Sequence, residues 1–111
     1  MFKVRRFNRD RDWEKFHKPK DLAIAVVLEA SELLEHFVWK TAEGSETYAR
    51  EHKDEVAEEI ADVAIYLMLF CDWLGLDSLE IIDKKIEKNA KKYPISKAKG
   101  SAQKYTEYQD Y

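Results

Sequence analysis

Residues 20–40 limit the fold more than any other stretch. On a helical wheel of about 100° per residue, Leu22, Val26, Leu33 and Phe37 form one stripe. Ile24, Val27, Leu28, Leu34 and Val38 make much of the remaining circumference apolar as well. A helix of that kind is expected to be buried on most sides, so it needs other helices around it. Yet Glu29 falls within about 40° of Leu22 and Leu33. Glu32 lies one turn along the same flank, with Ala25 and His36 continuing it. Two carboxylates on a buried flank are costly unless something pairs with them.

Helical periodicity recurs over residues 2–11, 46–74 and 78–92, with no alternating strand pattern between, so the sequence predicts an all-α, four-helix bundle. Pro19 and Asp21 suit the start of the second helix, and residues 41–45 with Gly44 read as the loop that returns the third helix antiparallel. Gly75 suits a helix end, Asp77 with Glu80 has the form of a capping box, and Pro94 closes the fourth helix. Residues 1–94 are expected to form the domain, and residues 95–111, rich in Lys, Ser and Tyr, an extended tail. A chain of 111 residues folded alone buries only roughly two thirds of its unfolded surface, so the bundle is expected to be completed by oligomerisation, as a homodimer or homotetramer.

The third helix repeats the anomaly of the second. Val56, Ile60, Val63, Leu67, Phe70 and Leu74 give its apolar face, and beside them run Glu55, Glu58, Glu59, Asp62 and Tyr66. Residues three apart are neighbours on a helix surface, so Glu29 with Glu32 and Glu59 with Asp62 are two side-by-side pairs of oxygen ligands. Antiparallel packing brings the pairs to one place. Four clustered carboxylates repel one another unless a divalent cation neutralises them, and hard oxygen donors select Mg²⁺, Mn²⁺ or Ca²⁺ over zinc. In a chain with 22 acids, the same spacing also arises as an ordinary solvated helix face, and both readings stay open on the residues alone. A di-iron carboxylate bundle needs two ExxH motifs, and Glu14 with His17 is the only one present. Neither GxSxG nor a P-loop occurs.

Charge adds a pattern rather than a class. The net charge of −3 gives no reason to expect a nucleic acid polymer or an anionic membrane as partner. Eight acids between Glu43 and Asp62 precede eight lysines between Lys84 and Lys104, an arrangement suited to a cation beside a polyphosphate, or to mutual solvation of two helices. The lone Cys71 reads as a small core side chain in a reducing compartment. No apolar run reaches the ~20 residues of a membrane span and Met1 to Asp12 carries no secretory pattern, so the expected location is the cytoplasm.

The segment Glu29-Ala30-Ser31-Glu32, then 26 residues, then Glu59-Ile60-Ala61-Asp62 resembles the paired motifs of the MazG-type all-α nucleoside triphosphate pyrophosphohydrolases. The flanks Arg11-Asp12-Trp13, Phe16-His17, Phe37-Val38-Trp39-Lys40, Glu58 to Leu67, Lys88-Asn89 and Lys92-Tyr93-Pro94 are similar to the dCTP pyrophosphatase branch of that family. The resemblance implies Mg²⁺-dependent hydrolysis of a nucleoside triphosphate, dCTP or a 5-modified form, to monophosphate and pyrophosphate, as nucleotide-pool sanitation. Mn²⁺ is a possible substitute. It implies Glu29, Glu32, Glu59 and Asp62 as metal ligands, Trp13 and Trp39 as a base sandwich with His17 and Lys40 beside them, Tyr66 at the sugar, and Lys85 and Asn89 at the phosphates and the sugar or base edge. The wheel separately places Trp39 two turns below Glu32 on the same flank. Glu32 and Glu58 are the candidate general bases. His36 reads as a core or interface histidine, and Trp73 as packing. Two other classes remain on these residues: a helical dimerisation module and a nucleotide-binding protein without turnover.

Overall fold

The second helix begins where its capping residues require. Pro19 occupies the first helical position, where its missing N–H costs nothing, and the Lys18 N–H donates to the Asp21 carboxylate at 3.2 Å. In the computed structural model, which describes residues 2–102 and 106, every regular element among the described residues is helical. They are α1 (Phe2–Asp10), a 3₁₀ turn (Glu14–Phe16), α2 (Pro19–Glu35), α3 (Ala42–Glu51), α4 (Lys53–Leu74), α5 (Ser78–Lys92) and α6 (Ile95–Ala98). No helix among them is long and apolar enough to cross a membrane.

Two boundaries differ from the sequence expectation. First, α2 stops at Glu35 rather than near residue 40. Residues 36–40 instead form tight turns, with the Phe37 and Val38 N–H groups both donating to the Leu34 carbonyl at 2.8 Å and Lys40 Nζ closing on the His36 carbonyl at 2.6 Å. Phe37 and Val38 keep an apolar spacing there without being helical, which is why periodicity ran on through them. Second, the expected loop over residues 41–45 is mostly the first turn of α3, and the expected helix over residues 46–74 is two helices. Thr41 caps α3 by accepting the Gly44 N–H at 3.0 Å, and a β-carbon on Gly44 would come within 3.1 Å of the Thr41 hydroxyl. The chain then breaks at His52 (φ −116°, ψ 34°) before α4 begins. No Gly or Pro marks that break. Gly75 ends α4 in the left-handed conformation (φ 68°), and the Asp77 carboxylate caps α5 through the Glu80 N–H at 3.0 Å. Ile95–Ala98 adds one helical turn where extended chain was expected; most of the remaining tail lies outside the described residues.

The chain divides into two compact units, residues 1–75 and 76–111. In the first, α2 lies along α4, and α1 and α3 also pack on α4. Leu22 (1% exposed) and Leu69 (8%) are its fully buried apolar side chains among the described residues, and Arg5 of α1 grips the Asp72 carboxylate of α4, its Nε donating at 3.2 Å. Ile24, Val27, Leu28 and Leu34 of α2, with Ile60 and Leu67 of α4, remain exposed. The expectation that α2 is covered on most sides is therefore not met within one chain. The second unit is built on α5, whose Leu79, Ile82 and Ile86 form an exposed stripe at spacings of three and four.

Candidate active site

Residue pairings show that α2 and α4 run antiparallel. Leu22 and Leu69 line one cavity, Glu29 and Asp62 another, and Glu32 and Glu59 a third. Position along α2 rises as position along α4 falls, which brings the acid pairs of the two helices together. One carboxylate oxygen from each of Glu29, Glu59 and Asp62 lies within 4.8 Å of the others. Glu32 sits against this trio, close enough that its charge acts on both Glu29 and Glu59.

Electrostatics there are unfavourable for bare carboxylates. Desolvation raises the pKa of Glu29, reinforced by Glu32, Asp62 and Glu59. Desolvation also raises that of Glu59, with Glu32 and Asp62 adding to it and His36 opposing. Oε2 of Glu29 and Oε2 of Glu59 are buried without any hydrogen-bond partner. Buried acceptors are nearly always satisfied, so two orphaned oxygens on residues of an all-oxygen cluster fit a hard divalent cation, which would neutralise the cluster and cancel the repulsion. Glu58 is exposed and lines neither of the cavities beside the trio.

Those two cavities differ in kind. The first, about 360 Å³, is walled by Phe7, Trp13, Ile65 and Tyr66 and opens onto Glu29 and Asp62. Trp13 packs edge-on against Phe7 at 5.6 Å between ring centres, and His17 packs edge-on against Tyr66 at 6.0 Å. Asn8, itself buried, donates its amide N–H to His17 Nδ1 at 3.2 Å, which leaves the ring proton on Nε2. The second cavity, about 370 Å³, is polar and lined by Glu32, Glu35, His36, Lys40, Tyr48 and Glu59. His36 bridges Tyr48 Oη, 2.6 Å from its Nδ1, and Glu59 Oε1, 3.9 Å from its Nε2.

The expected site residues thus separate into groups. Trp13, His17 and Tyr66 share a cavity with Glu29 and Asp62, while Lys40 stands in the other with Glu32 and Glu59. Trp39 does not lie on the flank of α2: it sits in the turn after the helix and is 93% exposed. Lys85 is exposed and Asn89 half-buried, one turn apart on α5 in the second unit. Trp73 lines a separate cavity of about 250 Å³ with Arg5, Asn8, Arg9, Asp72 and others. His36, expected as a core or interface histidine, faces a cluster carboxylate. Sequence reasoning missed Tyr48 and Asn8. Asn8 follows Val4 and Phe7 on α1, and a polar residue on that side of the helix was the available signal; for Tyr48 the signal was its i, i+4 spacing to His52.

An all-helical chain with paired acidic motifs on adjacent antiparallel helices defines the class, and the sequence profile of the MazG-like family matches residues 24–108. The chain belongs to the MazG-like family. Among curated relatives it is similar to dCTP pyrophosphatase 1 of Mus musculus, 37% identical over 103 residues, and to that of Homo sapiens, also 37% identical; the match covers 91% of this chain and 61% of each relative. The chain thus spans about three fifths of the length of those proteins. Among solved structures it is similar to a pyrophosphatase from Archaeoglobus fulgidus, with a TM-score of 0.79 and 42% identity, covering 82% of this chain and 85% of that one.

Proposed function

We propose that this protein is a divalent-metal-dependent pyrophosphohydrolase acting on a nucleoside triphosphate, dCTP or a 5-modified dCTP, with Mg²⁺ as the metal. The observation that carries the reading is the pair of buried, unpartnered oxygens of Glu29 and Glu59 beside Asp62, next to a cavity with an indole wall. The names of the curated relatives, dCTP pyrophosphatase 1, and of the solved pyrophosphatase support it.

Glu29, Glu59 and Asp62, with Glu32 against them, would hold the metal, which when bound supplies positive charge to phosphate oxygens and acidifies water. In this reading Trp13 offers a stacking face for the base and His17, fixed by Asn8, a single N–H donor; Tyr66 borders the sugar. Water attacks the α-phosphorus, its proton passes to a carboxylate, and the bond to the bridging oxygen breaks to release pyrophosphate. Glu32 is the better of the two candidate bases, because it adjoins the cluster without belonging to the tight trio, whereas Glu58 points to solvent exposure instead. Trp39, Lys40, Lys85 and Asn89 enter as substrate contacts through the motifs they occupy. The exposed apolar surfaces of α2, α4 and α5 support assembly as a homodimer or homotetramer.

The test is pyrophosphate release from a panel of ribo- and deoxynucleoside triphosphates, including 5-methyl-dCTP, with Mg²⁺ and with EDTA. Metal-dependent release favouring dCTP is expected. A flat base profile would remove the substrate assignment, and no release from any nucleotide would remove the activity.

A further inference from the structure

Glu59 uses its two oxygens differently. Oε2 is buried and unpartnered, whereas Oε1 faces His36 Nε2 at 3.9 Å, with the two side chains 24% and 20% exposed. His36 is not loose: its Nδ1 lies 2.6 Å from the Tyr48 hydroxyl. Tyr48 is in turn clamped, stacked on His52 at 4.0 Å and 16°, met edge-on by Phe37 at 5.6 Å, and covered by Lys40 Nζ at 4.1 Å from the ring centre. An unprotonated Nε2 would direct a lone pair at a carboxylate oxygen. The favourable tautomer therefore carries its proton on Nε2 and accepts from the Tyr48 O–H at Nδ1. The stack places Tyr48 against His52, the residue at which α3 ends.

We propose that His36, locked by Tyr48, is a positioning residue for Glu59: its Nε2–H holds Oε1 and so leaves Oε2 for the metal. Groups that orient a ligating carboxylate raise metal affinity without touching the ion; at 3.9 Å the Nε2 to Oε1 contact is longer than a hydrogen bond, so the role requires the two to close as the ion binds. This role rests on the reading of the acid cluster as a metal site.

The experiment titrates the full chain with Mn²⁺, reading free ion by electron paramagnetic resonance, with circular dichroism to verify folding. His36→Leu is expected to weaken Mn²⁺ binding about tenfold. Tyr48→Phe, which keeps the ring stack and removes only the hydroxyl, weakens it in the same direction, and His36→Gln, whose amide N–H reaches the place of Nε2, restores most of the affinity. Wild-type affinity in Tyr48→Phe overturns the proposal even where His36→Leu fails to fold. Glu59→Gln separates the two levels. If it binds Mn²⁺ as wild type does, the metal-site reading itself fails; if it loses binding while Tyr48→Phe and His36→Leu do not, only the role of His36 falls.

Discussion

The two cavities beside the carboxylates share a centre and almost nothing else. On one side Trp13, Phe7 and Tyr66 make an aromatic slot with a single fixed donor, His17; on the other, His36, Tyr48 and Lys40 face Glu32, Glu35 and Glu59 in a polar recess. A planar, apolar-faced group suits the first, and a cation or a group carrying one suits the second. The difference teaches how one pair of helices serves both needs. Glu29 and Asp62 line the aromatic side and Glu32, Glu35 and Glu59 the polar side, so both helices contribute acids to both cavities.

Asp62→Asn breaks what the two sides hold in common, and it carries the largest expected effect: turnover of dCTP falls roughly 10²- to 10³-fold with the fold retained, checked by pyrophosphate release and circular dichroism. Trp13→Ala breaks the aromatic side alone. Base stacking is worth about 1–3 kcal/mol, so KM rises about tenfold or more while kcat and Mn²⁺ affinity hold, a split that steady-state kinetics resolves. Asn8→Ala sharpens the same side by unfixing the His17 tautomer; urea unfolding is expected to show a loss of about 1 kcal/mol for the part-buried hydrogen bond removed, with a smaller rise in KM.

The smallest effect is in pH. Glu29 and Glu59 have folded-state pKa values raised above their unfolded values, so the stability linked to them is fully present below the ordinary Glu range and is lost as pH rises through the raised values. In EDTA the melting temperature should therefore rise as pH is lowered from neutrality toward the ordinary Glu range. With Mg²⁺ that slope should flatten or reverse, because the ion binds the deprotonated acids.

Much of this arrangement was legible in the sequence because it depends on spacing within single helices. Glu29 with Glu32, and Asp62 with Tyr66, keep their helical neighbours in the structure since α2 and α4 run unbroken through them. The class of fold followed from the same periodicity. Trp39 was misplaced because the wheel assumes a helix that in fact ends at Glu35, and the turn after it is stabilised by the Lys40 side chain on a backbone carbonyl, which leaves no mark in an apolar pattern. The break at His52 was equally hidden: no Gly or Pro stands there, and its geometry goes with a Tyr48–His52 stack four residues apart, a spacing that a continuous helix also provides. Coverage of α2 was overestimated because hydrophobicity reports what needs burying and not which chain buries it.

The account turns on carboxylates that oppose one another until a cation joins them, and Glu29→Gln tests this directly through thermal melting with EDTA and with Mg²⁺. Wild type should melt higher with Mg²⁺. The variant, relieved of one buried charge, should melt above wild type in EDTA and respond little to Mg²⁺. A variant that melts below wild type in EDTA and gains as much from Mg²⁺ would contradict the cluster as the metal site.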